Sequence, residues 1–366
     1  MTALLCNCTI VLGQAADDLE SKMEAACREH KIPSLTIAAV SSDKNLATLC
    51  TGIRKRGANS KVGLEDLHGI GSNTKSMTST LAAVLVEAGK IDWDTTIIDV
   101  WPKLNDKSLH PTLREVTLND LLNHTSGLRK DLGGPEWGSF FLEKKNPPAE
   151  RRRILKLIFK DKPETKRGNF LYSNLGYVVA AAMLEKKTGD AYESLMKRHL
   201  FKPLKMDSAY LHTTKTARRL KAPYLSGHDR NGKPVDPKQA GSDNPSVYSP
   251  AGTVHLSVGD YAKYVQWHLR AKPEPVLTKQ ETIEHLHKGH SDFDTRGARY
   301  SCGWIIFESS WGRTLQHAGT NTCEYAITWI LPDKDVAATV LTNSFEPGHG
   351  PATNDMIIEM FKQFAK

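Results

Sequence analysis

The residues best placed to do chemistry are Ser72 and Lys75, within Gly71-Ser72-Asn73-Thr74-Lys75. A spacing of three residues is just under one helical turn, so on a helix the two side chains share a face and can touch. Met77, Leu81, Val84, Leu85 and Ala88 follow at helical spacing, and Gly89 closes the run, which predicts a helix over 72–88. A serine at such a helix start sits among unpaired backbone N–H groups, which suit a developing oxyanion. It is a weak nucleophile until a neighbouring base takes its proton. Lysine serves as that base only if burial or positive neighbours lower its pKa from about 10.4. The plain alternative is that Ser72 caps the helix and does nothing else.

Two other patterns fail on their own terms. Gly69 to Ser76 nearly fits a P-loop, but Thr74 stands where a glycine must precede the lysine, and its Cβ obstructs a phosphate-cradling backbone. His285-Leu286-His287-Lys288-Gly289-His290 imitates a zinc signature of the H-x-H-x-D-H type. Gly289 occupies the place of the metal-binding aspartate, and only 76 residues follow. Solvated loop histidines are the expectation there, because a metal site needs a full ligand count. Neither H-E-x-x-H nor G-x-S-x-G occurs. No metal site and no cofactor is expected.

Ser72 and Lys75 gain weight from two further segments. Tyr172-Ser173-Asn174 lies just before a predicted helix that ends near Gly189, where Tyr172 can reach the Ser72 hydroxyl and Asn174 a substrate amide. His317-Ala318-Gly319-Thr320 ends a predicted strand, where Gly319 allows close backbone approach. These three motifs, in this order, resemble the serine β-lactamase and penicillin-binding-protein superfamily, with the class C β-lactamases and the β-lactamase-like carboxylesterases nearest. Leu121-Leu122-Asn123-His124-Thr125-Ser126-Gly127-Leu128, Ser249-Pro250-Ala251-Gly252 and Leu331-Pro332-Asp333 to Leu341-Thr342-Asn343-Ser344 extend the resemblance from about Asp17 to the end of the chain.

That resemblance implies that Ser72 is the nucleophile, Lys75 its partner and Tyr172 the proton shuttle. Asn174 would orient substrate, with His317, Gly319 and Thr320 lining the substrate side. The backbone N–H groups of Ser72 and Thr320 would form the oxyanion hole. One position departs from the pattern: lactamases and peptidoglycan peptidases usually carry lysine where this chain has His317. Lysine offers a permanent charge to a substrate carboxylate, whereas histidine is mostly neutral near pH 7. His317 is therefore expected to set substrate class, toward neutral esters or amides.

The elements that must position these groups can be read coarsely. Asp17–Lys31 has the apolar period of a helix, with Leu19, Met23, Ala26 and His30 on one face. Leu35–Val40 and Leu46–Thr51 read as a strand pair. Cys302–Glu308, Arg313–His317, Glu324–Leu331 and Asp335–Thr342 read as strands, and a last helix carries Ile357, Met360, Phe361 and Phe364. The fold class expected is α+β: an antiparallel sheet flanked by N- and C-terminal helices, with a mostly helical inserted region, as in the β-lactamase/transpeptidase type. Residues 16–366 form one such domain, its α/β part at about 16–70 and 250–366 and its helical part at about 71–249.

Composition agrees with a soluble globular chain of 366 residues, 39% hydrophobic and 25% charged, without an apolar run long enough to span a membrane as a helix. Net charge is +8, and residues 150–167 hold eight basic against three acidic side chains. Ile154, Leu157 and Ile158 make this stretch an amphipathic helix with a solvated basic face, and the absence of interleaved aromatics argues against nucleic acid. Residues 1–15 read as an export signal without a basic start, so the chain is exported if they are one and cytoplasmic otherwise. Cys27, Cys50, Cys302 and Cys323 show no C-x-x-C spacing, and their pairing stays open.

The function expected is a monomeric serine hydrolase that forms an acyl-enzyme on a small ester or amide. A β-lactamase, a D-alanyl carboxypeptidase or an aminopeptidase is the alternative, with an inert binding scaffold as the third reading.

Overall fold

The computed structural model describes residues 14–142, 146–221 and 223–365. The expected leader over residues 1–15 lies outside these apart from its last two residues, which begin the N-terminal helix, Gln14–Glu29.

The main sheet is antiparallel and draws its strands from both ends of the chain. Its order is Asn45–Gly52, Ser34–Val40, Val336–Thr342, Tyr325–Leu331, Gly312–Thr320, Trp304–Ser309, Arg299–Ser301 and Ser291–Asp292. Register is fixed on both sides of the Ser34–Val40 strand, where Ile37 pairs with Leu49 and with Val340. Side chains alternate across the pleat, so each strand serves two cores. Leu35, Ile37 and Ala39, with Ala338 and Val340, pack under Leu19 and Met23 of the N-terminal helix and Met360 and Phe361 of the C-terminal helix, His349–Phe364. Ala38, Val40, Ala337 and Leu341 point the other way, into a core shared with the helical region.

That region is centred on two helices. Thr74–Glu87 is buried over most of its length, and Asn174–Thr188 is buried from Leu175 to Leu184 before Gly189 ends it in the left-handed conformation. A small sheet, with Val254–Leu256 between His68–Gly69 and Tyr210–Leu211, joins the segment before Ser72 to the rest. Strands of two or three residues carry no readable period, which is why the sequence gives no sign of this sheet. Among the described residues no helix is long and apolar enough to cross a membrane.

Two expectations are corrected. The basic stretch forms a helix only over Pro147–Ile158, and Arg151 is not on a solvated face. Arg151 is fully buried, and its guanidinium bonds Glu185 at 2.6 Å and Glu193 at 3.0 Å over the ring of Tyr192. Residues 151, 154, 155 and 158 share the inward face, so Leu157 is left exposed. The His285–His290 run is packed rather than solvated. His285 stacks on Trp93 at 4.1 Å, and His287 meets His268 at 2.8 Å between ring nitrogens. Cys27, Cys302 and Cys323 carry free thiols.

Removing one side of a buried ion pair leaves the other charge stranded, at a cost of about 3–5 kcal/mol. Arg151→Met should therefore lower unfolding free energy by roughly 3 kcal/mol in urea titrations. Arg152→Met, on the exposed face, should stay within about 0.5 kcal/mol of wild type.

Candidate active site

Ser72 lies in a 3-10 turn, Gly71–Asn73, that runs directly into the Thr74–Glu87 helix. It is not the cap of that helix. Asn73 holds the capping position without a side-chain cap bond. Its amide instead donates to the Ile70 carbonyl at 3.0 Å and, across the chain, to Ala326 at 3.2 Å. The turn is thus pinned to the Tyr325–Leu331 strand, and the Ser72 side chain stays partly exposed.

Lys75 points back along the helix to Ser72, with Nζ donating to Oγ at 2.9 Å and to the Ala251 carbonyl at 2.9 Å. The Ser249–Gly252 turn that supplies this carbonyl is itself tied to the helix, since Thr78 donates to Pro250 at 2.7 Å. The rings of Tyr172 and Tyr177 cover the amine at 4.8 and 5.6 Å. Lys75 is fully buried, and burial pushes its pKa down from 10.5 to about 7, with the Asp131 carboxylate opposing weakly.

Tyr172 and Asn174 are placed by the start of the Asn174–Thr188 helix. Ser173 caps it: its hydroxyl accepts from Gly176 N–H at 3.0 Å and donates to the Arg129 carbonyl at 2.7 Å. Tyr172, immediately before the cap, brings its phenol beside Ser72, and burial pushes that phenol up. Asn174 donates its amide to both oxygens of Asp131, at 3.1 and 3.0 Å, which turns the amide oxygen to the other side.

His124 supports this arrangement from below, a role its motif alone does not reveal. Its backbone adopts φ +60°, and its Nδ1 accepts the Ser173 N–H at 3.0 Å. The ring packs against Tyr172 at 4.3 Å and Tyr300 at 4.6 Å. Burial holds it well below the ordinary histidine range, so it is a neutral acceptor.

The Gly312–Thr320 strand closes the other side. A Cβ at Gly319 would stand 2.3 Å from the Ile70 carbonyl and 2.4 Å from the Ser72 nitrogen, so only glycine permits this approach. It brings the backbone of Gly319 and Thr320 against Gly71 and Ser72. His317 is 3% exposed and neutral, since burial and the nearby Lys75 push it down to about 3. Its ring therefore lies under the cleft surface, 6.4 Å from Tyr300.

Ser72, Lys75, Tyr172, Gly319 and Thr320 thus converge, with Asn174 on the rim and His317 beneath. A hydroxyl, a desolvated amine, a phenol and two backbone N–H groups at one point can move a proton and stabilise an oxyanion. Asp131, His124 and the Ala251 carbonyl are the contributors that sequence reasoning missed. Only the position of His124 and Ala251 inside quoted motifs hinted at them.

A family model described as Beta-lactamase matches residues 16–359, and the chain belongs to that family. It is 28% identical over 268 residues to the unguisins hydrolase of Aspergillus violaceofuscus, covering 70% of this chain and 45% of that protein. The chain thus spans less than half the length of that relative. It is 24% identical over 332 residues to penicillin-binding protein 4 of Amycolatopsis lactamdurans, covering 88% and 84% respectively. A β-lactamase of Providencia stuartii is 23% identical over 281 residues, covering 75% and 65%. The fold matches the octameric penicillin-binding protein homologue from Pyrococcus abyssi with a TM-score of 0.75, at 24% identity, over 95% of this chain and 76% of that one. The α+β reading of the sequence therefore holds, and hydrolase names recur in the family.

The buried amine gives a direct test. NMR of side-chain-labelled lysines should show one amine titrating near 7, absent in Lys75→Met. A Lys75 signal that titrates with the surface lysines, near 10.4, would show that the amine is hydrated.

Proposed function

We propose that this chain is a serine hydrolase that forms an acyl-enzyme on Ser72 and hydrolyses a small, neutral ester or amide. The observation that carries this reading is the 2.9 Å contact between Ser72 Oγ and a lysine amine kept out of water. Near neutral pH a substantial fraction of Lys75 is unprotonated, and that fraction can accept the Ser72 proton as Oγ attacks the substrate carbonyl. The developing oxyanion is held by the N–H groups of Ser72 and Thr320, and Tyr172 passes a proton to the leaving group. Water then cleaves the Ser72 ester by the reverse relay. Asn174 offers its amide oxygen to a substrate N–H.

The preference for uncharged substrates rests on His317. A ring held neutral and covered supplies no cation to a carboxylate. The hydrolase and β-lactamase names of the relatives support hydrolysis without naming this substrate. An inert scaffold would have no need for a dry lysine against a serine, since burying an amine is costly.

Three readouts test the proposal. Mass spectrometry after brief exposure to p-nitrophenyl acetate should show one acyl group on wild type and none on Ser72→Ala, whose turnover falls by at least about 1,000-fold. The acid limb of kcat/KM should rise through about pH 7, because the base form of Lys75 is the active one and is gained as pH rises. The ester should be preferred to nitrocefin. Activity above a few per cent in Ser72→Ala overturns the nucleophile, and preferential nitrocefin turnover overturns the substrate class in favour of a β-lactamase.

A further inference from the structure

A second cluster of ionisable side chains adjoins the segments that lead to Ser72 and Thr320. His212 follows the Tyr210–Leu211 strand, His255 lies on Val254–Leu256, Asp243 comes from a loop, and Glu324 immediately precedes Tyr325–Leu331. All four are buried, at 4–5% exposure. One donor atom each from His212, Asp243 and His255 lies within 4.8 Å of the others. His255 Nε2 is 2.7 Å from Asp243 Oδ2, and its Nδ1 is 3.9 Å from Glu324 Oε2. The His212 and His255 rings are 4.7 Å apart, and His212 Nδ1 is buried without a hydrogen-bond partner.

Charge makes this group unusual. Asp243 takes an N–H from Asn244, and Glu324 takes the Gly69 N–H and the Asn321 amide. Among the described residues, no lysine or arginine pairs with either carboxylate. Two buried carboxylates with only neutral donors carry a large desolvation cost, and a bound cation offsets it. A cavity of about 190 Å³ reaches His212, His255 and Glu324 from exposed Lys221 and Pro223, which gives an ion a way in.

We propose that His212, Asp243 and His255 bind one divalent transition cation of the zinc type, with a water completing the coordination and Glu324 beside the opposite nitrogen of His255 as an outer carboxylate. Two imidazoles and one carboxylate, with a water in the fourth position, are a donor set that suits such an ion. Tetrahedral ligation at about 2.0–2.2 Å sets donors roughly 3.4 Å apart, so the 2.7 Å His255–Asp243 contact opens on loading. The ion is structural. Glu324, beside His255, holds Gly69 through its carboxylate and the Thr320 hydroxyl through its carbonyl, at 2.7 Å, so an ion that fixes His255 steadies the segments that carry Ser72 and Thr320. This site stands whether or not Ser72 is a nucleophile.

His285, His290 and Cys302 also bring donor atoms within 4.8 Å, and the test must separate them. Chelator-treated full-length chain is titrated with Zn²⁺ by calorimetry and with Co²⁺ by absorption. The expected result is one equivalent bound, a tetrahedral cobalt spectrum without a sulfur charge-transfer band, and a melting temperature that rises with Zn²⁺. His212→Gln and Asp243→Asn, each checked for a native circular dichroism spectrum, should weaken Zn²⁺ at least 10-fold, while Cys302→Ser leaves it unchanged. Absence of stoichiometric binding overturns the proposal, as does binding that persists in both variants or disappears in Cys302→Ser. Acylation of Ser72 in the zinc-loaded chain reads the hydrolase proposal separately.

Discussion

An ammonium group taken out of water must find other partners or lose its proton, and the site is organised around that constraint. Lys75 is fully buried, and among the described residues its amine donates to two oxygens, Ser72 Oγ and the Ala251 carbonyl. No carboxylate pairs with it among the described residues, so burial is free to depress its pKa. Keeping it dry takes several unrelated segments: the rings of Tyr172 and Tyr177, the Ser249–Gly252 turn, and His317 from the sheet. Loosening any of them lets water in and returns the amine toward its ordinary charged state. Chemistry and packing are here the same requirement.

The second requirement is a backbone contact that only a finished fold can make. Gly319 and Gly71 let the Gly312–Thr320 strand lie against the 3-10 turn at van der Waals range. Those segments are far apart in sequence, and the strand is held in place by neighbours that pair, in turn, with Ser34–Val40 from the other end of the chain. The proposed oxyanion-binding geometry therefore depends on closing a long-range sheet. Local helix formation gives Ser72 and Lys75 their spacing, but not their surroundings.

This division explains what could be read from the sequence. Ser72, Lys75, Tyr172 and Asn174 were legible because each belongs to a short motif beside a helix start, and helix starts announce themselves through caps such as Ser173. The strands at both ends were legible as short β-rich runs, and the order of strands and helices pointed to the fold class. Burial of polar residues was not legible. Arg151 stands on the inward face at a position that periodicity assigns to an apolar residue, and only Glu185 and Glu193, on other elements, make that tolerable. The histidines at 285 and 287 read as solvated because Trp93 and His268, their partners, are distant in the chain. The absence of any metal motif in the spacing said nothing about His212, Asp243 and His255, which meet only because three separate segments converge.

His317 links the last two themes. It is close enough to Lys75 for each to disfavour charge on the other, and burial settles the histidine as the neutral partner. A permanently charged side chain at this position would do two things at once. It would offer a cation to an anionic substrate, and it would push the Lys75 pKa still lower, changing both the strength of the base and the pH at which it acts. A neutral, covered histidine does neither, so burial, opposed by the Asp131 carboxylate, pushes Lys75 down to about 7. In the proposed hydrolase, substrate charge and working pH are therefore not independent, because both are governed by the charge allowed beside one buried amine.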